Sequence, residues 1–321
     1  MKRLLTALAS ALLATAAVAA YPDKPVTIVV PFAAGGPTDK VARDLGVVLS
    51  KHLNNQTVII ENVGGAGGTL GAARVAKAAP DGYTLLLHHI GMATSPALYR
   101  KMPYDTMGDF EFLGMVNDVP MTIVARPTLP ANTMPELVKW LEANKGKINL
   151  ANAGLGAASH LCGLLFQQSL KIDMTTVPYK GTGPAMTDLM GGQVDIMCDQ
   201  TTNTAGQIRS GAIKAYAVTT PERVEALPDL PTTAEAGLPE VQVAVWHGLY
   251  VPAKTSDEVV AKLTDALQVA LVDPNVIDKL ADLGTTPVAQ DQVTPDAHRA
   301  KLTQQIELWT PIIKGAGVKG G

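Results

Sequence analysis

Residues 26–38 read Val-Thr-Ile-Val-Val-Pro-Phe-Ala-Ala-Gly-Gly-Pro-Thr. A near-continuous apolar run rich in β-branched residues is the pattern of a strand covered on both faces. The run breaks at a glycine pair and restarts at Pro37, and proline suits the first position of a helix. One strand, one tight loop and one helix start are therefore written into thirteen residues. Similar strands are predicted at 57–61, 84–88, 121–125, 149–152, 175–179, 195–198 and 214–219. Helical spacing is predicted at 40–52, 70–78, 134–143, 159–170, 185–190 and 204–209, then at 257–272, 275–283 and 295–313. Strands alternating with helices give an α/β class with mainly parallel sheets.

The chain has 321 residues, enough for two domains. Nothing in the sequence resembles a Pro/Gly-rich linker between consecutive domains. Two extended segments, 121–127 and 241–252 with Trp246 inside it, read instead as crossings between discontinuous lobes. The expected division is 21–123 plus 247–321 for one lobe and 124–246 for the other, with a cleft between them.

Composition narrows the function. The chain is 47% hydrophobic, 17% charged and carries a formal net charge of −3, which excludes a disordered chain and a basic footprint for nucleic acid. Lys2-Arg3, the apolar stretch 4–20 and the small residues Ala17 to Ala20 make a secretory signal, expected to be cut after residue 19 or 20. An uncleaved membrane anchor is the other reading, but Thr6, Ser10 and Thr15 interrupt this short stretch. The two cysteines, Cys162 and Cys198, would then fold in an oxidising compartment, where one disulfide is expected. Two buried free thiols are the alternative.

Ligands of open α/β sheets bind where strand ends lead into helix starts. Four such junctions share one chemistry: 31–39, 153–160, 180–184 and 199–204. Each offers helix N–H groups and a hydroxyl at the positive end of a helix dipole, a setting for a carboxylate. The run Gly64-Gly65-Ala66-Gly67-Gly68-Thr69-Leu70-Gly71 fails as a dinucleotide fingerprint, because Leu70 stands where the third glycine belongs. A tight loop packed on the first junction is the expected role. No nucleophile elbow or HExxH spacing occurs, and Ser159-His160 are mere sequence neighbours, so no catalytic residue, metal or cofactor is expected. His88 and His89 at a strand end point to opposite faces, so only one of them can enter a cleft.

Tyr21 to Gly36, Glu61-Asn-Val-Gly-Gly-Ala-Gly-Gly, residues 75–86, Ala158-Ser-His-Leu, Val177 to Ala185 and Gly192-Gln-Val-Asp together resemble the motifs of the Bug-type receptors of tripartite tricarboxylate transporters. The resemblance runs from about residue 21 to the end. It implies a type II-like periplasmic binding protein, two α/β lobes holding a small carboxylate partly through backbone N–H groups and water. Carried over by position, the ligand-binding residues are Phe32, Ala33, Ala34, Gly36, Pro37, Thr38, His89, Gly91 and Thr94 in the first lobe. In the second lobe they are Gly154, Ala158, Ser159, Gly181, Thr182, Asp199 and Thr202. The cysteines and the run from His88 to Ala93 depart from the commoner family pattern.

The resulting expectation is a monomeric periplasmic receptor, without cofactor or metal, that delivers a small carboxylate to integral membrane transporter subunits. An exported hydrolase using Ser159 and His160 is one alternative reading, and a ligand sensor docking on a membrane kinase is another.

Overall fold

The computed structural model describes residues 21–315. The secretory signal expected at 1–20 lies outside them. The first half of the fold runs β1 (Val26–Val30), α1 (Pro37–His52), β2 (Val58–Asn62), α2 (Thr69–Ala76), β3 (Thr84–His89) and α3 (Gly91–Leu98). A long strand, β4 (Phe110–Ala125), leads into the second half: α4 (Met134–Ala143), β5 (Asn149–Asn152), α5 (Ala158–Leu170), β6 (Thr175–Pro178), α6 (Thr182–Met190), β7 (Ile196–Gln200), α7 (Thr201–Arg209) and β8 (Lys214–Val218). The chain returns along β9 (Ala244–Pro252) and closes with α8 (Asp257–Ala270), α9 (Pro274–Asp282), β10 (Thr286–Pro287) and α10 (Pro295–Gly315).

The strand order is β2-β1-β3-β9-β4-β7-β5-β6. Pairs β1–β2, β1–β3, β5–β6 and β5–β7 are parallel, as βαβ crossovers require. Between these two parallel sets run β4 and β9, antiparallel to each other and to their neighbours. Strand β4 changes partner partway along: 110–120 pair with β9, and 121–125 pair with β7 and β8. The result is a two-lobed α/β body whose curled mixed sheet is bridged by two crossing strands.

Most predicted elements fall within a few residues of those observed. Two do not. Strand β4 is far longer than 121–125, because Gly114, Asn117, Asp118 and Pro120 interrupt its apolar run. The register of β4 on β9 shifts at two places in this same region, so bulges absorb the irregularity. Helix α3 has Gly91 at its start and Pro96 inside it, both poor helix formers, and it is held by burial rather than propensity.

Cys162 on α5 and Cys198 on β7 form a disulfide, with Cα atoms 5.9 Å apart. The bond ties the helix that starts at Ala158 to the strand that ends at Gln200. Closing a 36-residue separation is worth about 3–4 kcal/mol on the chain-entropy model. Cys162→Ala/Cys198→Ala is therefore expected to lower the denaturation free energy by about that amount. An unchanged chemical-denaturation midpoint would show that the bond does not hold the fold.

Candidate functional site

The helices that start at the inner edges of the two lobes share a local feature. The N-cap residues of α1, α5, α6 and α7 are Gly36, Ala157, Gly181 and Gln200, and none makes a side-chain cap. By contrast, Thr133, Ser256 and Asp273 cap α4, α8 and α9. An uncapped start leaves first-turn N–H groups to be met by water or by a ligand.

Those four starts converge on one small, partly open cavity of about 10 Å³, room for about one water molecule. Its wall is Phe32, Pro37, Thr38 and His89 from one lobe, and Ala153, Ala157, Ala158, Ser159, Thr182, Asp199 and Gln200 from the other. No lysine or arginine lines it. Three polar side-chain atoms in the wall, Thr182 Oγ1, Asp199 Oδ1 and Gln200 Oε1, are buried without a hydrogen-bond partner.

The first loop is held from behind. Asp39 accepts hydrogen bonds from the Gly35 amide (2.9 Å), Arg43 Nε (3.0 Å) and Asn62 Nδ2 (2.9 Å), and Asn62 also donates to the Phe32 carbonyl (3.1 Å). Burial works to raise the Asp39 carboxyl, but these donors outweigh it and hold the group below the ordinary range. Phe32 in turn stacks on His89, with ring centroids 4.6 Å apart.

Asp199 behaves in the opposite way. Burial pushes it up to about 6, while Asn203, the Gln200 amide, Thr182 and Lys40 favour the charged form without cancelling the loss of water. Thr182 stands close enough to assist yet outside hydrogen-bond geometry, so Oδ1 stays free. Oδ2 accepts from Asn203 Nδ2 (2.6 Å), and Asn203 accepts from Lys40 Nζ (3.1 Å) across the lobes. The imidazoles nearby are neutral: burial takes His89 down to about 3 and His160 to about 4, and holds His247 well below its ordinary value.

Of the residues expected at a ligand site, Phe32, Pro37, Thr38, His89, Ala158, Ser159, Thr182 and Asp199 line the cavity. Others lie in the seam where the lobes meet. The Ala33 amide donates to the Lys180 carbonyl (2.9 Å), and Thr94 Oγ1 donates to the Gly156 carbonyl (2.8 Å). A Cβ on Gly36 would sit 3.5 Å from Gly183 N, one on Gly181 2.7 Å from Ala33 N, and one on Gly154 2.9 Å from Gly67 N. Ala34 borders the same seam, since a Cβ on Gly183 would fall 2.7 Å from its carbonyl oxygen. Gly91 acts indirectly, its amide donating to His89 Nδ1 (3.0 Å). Thr202 is buried in the first turn of α7 with its hydroxyl unpaired, away from the cavity wall.

The glycine-rich loop 64–68 also belongs to this seam. A Cβ on Gly64 would approach the Lys180 carbonyl to 2.6 Å and Ala33 N to 3.0 Å. Gln200, Ala153 and Ala157, which fall within the predicted junctions 199–204 and 153–160, also line the cavity. The predicted strand ends at 198, two residues short of the end of β7, so Asp199 and Gln200 lie on the strand itself rather than in the loop after it. The two alanines carry no side-chain signal.

Ser159 and His160 do not act as a pair. Ser159 Oγ accepts from the Ala153 amide (2.8 Å), while His160 Nδ1 accepts from the Gly156 amide (3.3 Å). Among the described residues, no helix is long and apolar enough to cross a membrane.

Residues 41–318 match the model of the tripartite tricarboxylate transporter family receptor. The structure is similar to that of the periplasmic binding protein BugD, with TM-score 0.91 and 50% identity, covering 93% of this chain and 99% of that one. It is similar to MatC of Rhodopseudomonas palustris with bound malate, with TM-score 0.88 and 41% identity over 91% and 100% of the two chains. A further R. palustris protein, with adipate, gives TM-score 0.87 and 32% identity over 93% and 99%.

The Asp199 value fixes a pH effect. A carboxyl whose folded value lies near 6, above its ordinary 3.8, contributes stability that is full below about 4 and lost as pH rises through about 6. Asp199→Asn is expected to remove this loss. The ligand-free variant should melt above wild type at pH 8, with the gap shrinking toward pH 4. A gap independent of pH would show that Asp199 is not the titrating group.

Proposed function

The chain belongs to the tripartite tricarboxylate transporter receptor family, and from that premise we propose that it captures a small carboxylate between its lobes and delivers it to integral membrane transporter subunits. The family is one of periplasmic solute-binding receptors rather than enzymes. The reading takes 21–123 plus 247–321 as one lobe and 124–246 as the other. It also takes the mature chain to begin after residue 19 or 20.

One observation carries it: uncapped helix starts from both lobes meet at a single cavity, where one lobe also presents three unpartnered buried polar atoms. A buried polar atom left without a partner costs about 1–3 kcal/mol. Closing the lobes over Thr182, Asp199 and Gln200 is therefore unfavourable until something fills their hydrogen-bonding capacity. A guest that does so in the closed form alone supplies the differential affinity that drives closure.

Acid-group recognition follows from the donors. The Ser159 oxygen already accepts from the Ala153 amide, which leaves its own proton free to give. His89, neutral, with Nδ1 taken by the Gly91 amide, keeps its proton on Nε2. With the helix N–H groups these make a neutral donor set for a carboxylate. Malate in MatC and adipate in the second relative support that ligand class.

Screening a library of small carboxylates by thermal shift, with native mass spectrometry of co-purified ligand, tests the reading. A stabilising acid is the expected result, and stabilisation only by neutral or cationic compounds would overturn it. Ser159→Ala and Thr182→Val are each expected to weaken that acid about 5- to 20-fold by calorimetry, the worth of one or two hydrogen bonds. Unchanged affinity in both would remove them from the site. Gly64→Ala places a methyl 2.6 Å from the Lys180 carbonyl oxygen and is expected to hold the lobes apart. Small-angle scattering should then show no compaction when the acid is added, and full compaction would refute the wedge.

A further inference from the structure

The hydrogen-bond directions behind the cavity can be read from one end to the other. Thr285 Oγ1 donates to the Asp118 carbonyl, and Asn117 Nδ2 donates to Thr285 Oγ1 (3.2 Å). Asn117 therefore presents its oxygen to His247 Nδ1 (3.0 Å), which must carry the ring proton. His247 Nε2 is then a bare acceptor, and Thr38 Oγ1, 3.1 Å away, donates to it. Every member except Asp118 is buried, and burial holds the imidazole neutral, so the proton that Asn117 places on Nδ1 is the ring's only one.

The consequence falls on Thr38, which lines the cavity. Its single proton is committed to His247, so its oxygen can accept a hydrogen bond from a guest but cannot give one. Ser159 on the facing lobe is set the other way, as an acceptor from the Ala153 amide with its proton free. Asp199 Oδ1, also in the wall, makes no hydrogen bond and in the ionised carboxylate can only accept one. One small cavity thus carries donors at Ser159 and His89 and acceptors at Thr38 and Asp199. A plain acid would satisfy the first pair and leave the second unmet.

We propose that His247 is a positioning residue that polarises the cavity through Thr38, so that the preferred guest is a small carboxylate also bearing a hydroxyl or ammonium donor. The inference rests on the receptor reading above and narrows its ligand class. An ammonium guest would in addition offset the buried Asp199 charge, and a hydroxyl guest would not.

Calorimetry on matched acids tests it, using succinate, malate and aspartate, then glutarate, 2-hydroxyglutarate and glutamate. The donor-bearing member of a series is expected to bind at least about tenfold more tightly than the unsubstituted one, because the latter leaves buried acceptors unpaired. His247→Phe frees the Thr38 proton and is expected to shrink that preference to about twofold or less, whereas Thr38→Ser should retain it. Should His247→Phe fail to fold, Thr38→Val removes the same acceptor and should also erase the preference. Nitrogen-15 NMR of the ligand-free protein reads the relay directly, with the proton expected on His247 Nδ1. Binding without the preference, or a proton on Nε2, overturns this inference alone. Stabilisation by no acid at all overturns the receptor reading and this inference together. Tighter binding by the amino acids than by the hydroxy acids would assign the donor as ammonium, and the reverse order as hydroxyl.

Discussion

The antiparallel pairing of β4 with β9 is the constraint on which the rest of the molecule depends. These strands are shared between lobes, and everything the cavity needs is registered against them. Residues 110–120 of β4 bond to β9, while 121–125 bond to β7 and β8, so one strand indexes both lobes. Asn117 opposes His247 in that ladder, which places the imidazole where it can hold Thr38 at the start of α1. Strand β7, paired to the far end of β4, delivers Asp199 and Gln200 to the opposite wall.

The walls themselves are built by withholding interactions. Helices α4, α8 and α9 are capped by Thr133, Ser256 and Asp273, whereas the four that meet at the cavity, like α2 and α3, have no side-chain cap. Around them the imidazoles are stripped of charge by burial, and the nearest lysine, Lys40, reaches Asp199 only through Asn203. A neutral donor set suits a receptor that must also let go. A fixed cation in a dry cavity would hold an acid far more tightly than dipoles do, because Coulomb attraction grows as water is excluded. Glycines at the seam serve the same end. At Gly64 and Gly181 backbone meets backbone across the lobes, at distances no Cβ would allow.

Local patterning made much of the fold legible. The alternation of β-branched runs with helical spacing sets the class, and the helix starts at Pro37, Ala158, Thr182 and Thr201 fall within three residues of the predicted ones because helical spacing and turn residues are written in neighbouring positions. The four ligand-competent junctions could be found in the same way, because each is a strand end followed within a few residues by a helix. Strand β4 before residue 121 and helix α3 could not. Their residues are poor formers of the structures they adopt, and only burial against partners distant in sequence compensates.

The sequence by itself determined most of the elements, the family resemblance, the pair of cysteines and which loops carry hydroxyls and N–H groups, since all of these depend on spacing along a few consecutive residues. Tertiary structure alone decided which of those loops share a cavity, that Gln200, Ala153 and Ala157 within them reach its wall, and that the backbones at glycines 64 and 181 meet the facing lobe. It alone also set the direction of the hydrogen bond between Thr38 and His247. Two residues separated by 209 positions acquire donor and acceptor roles only when a third group, Asn117 on a neighbouring strand, fixes where the ring proton sits.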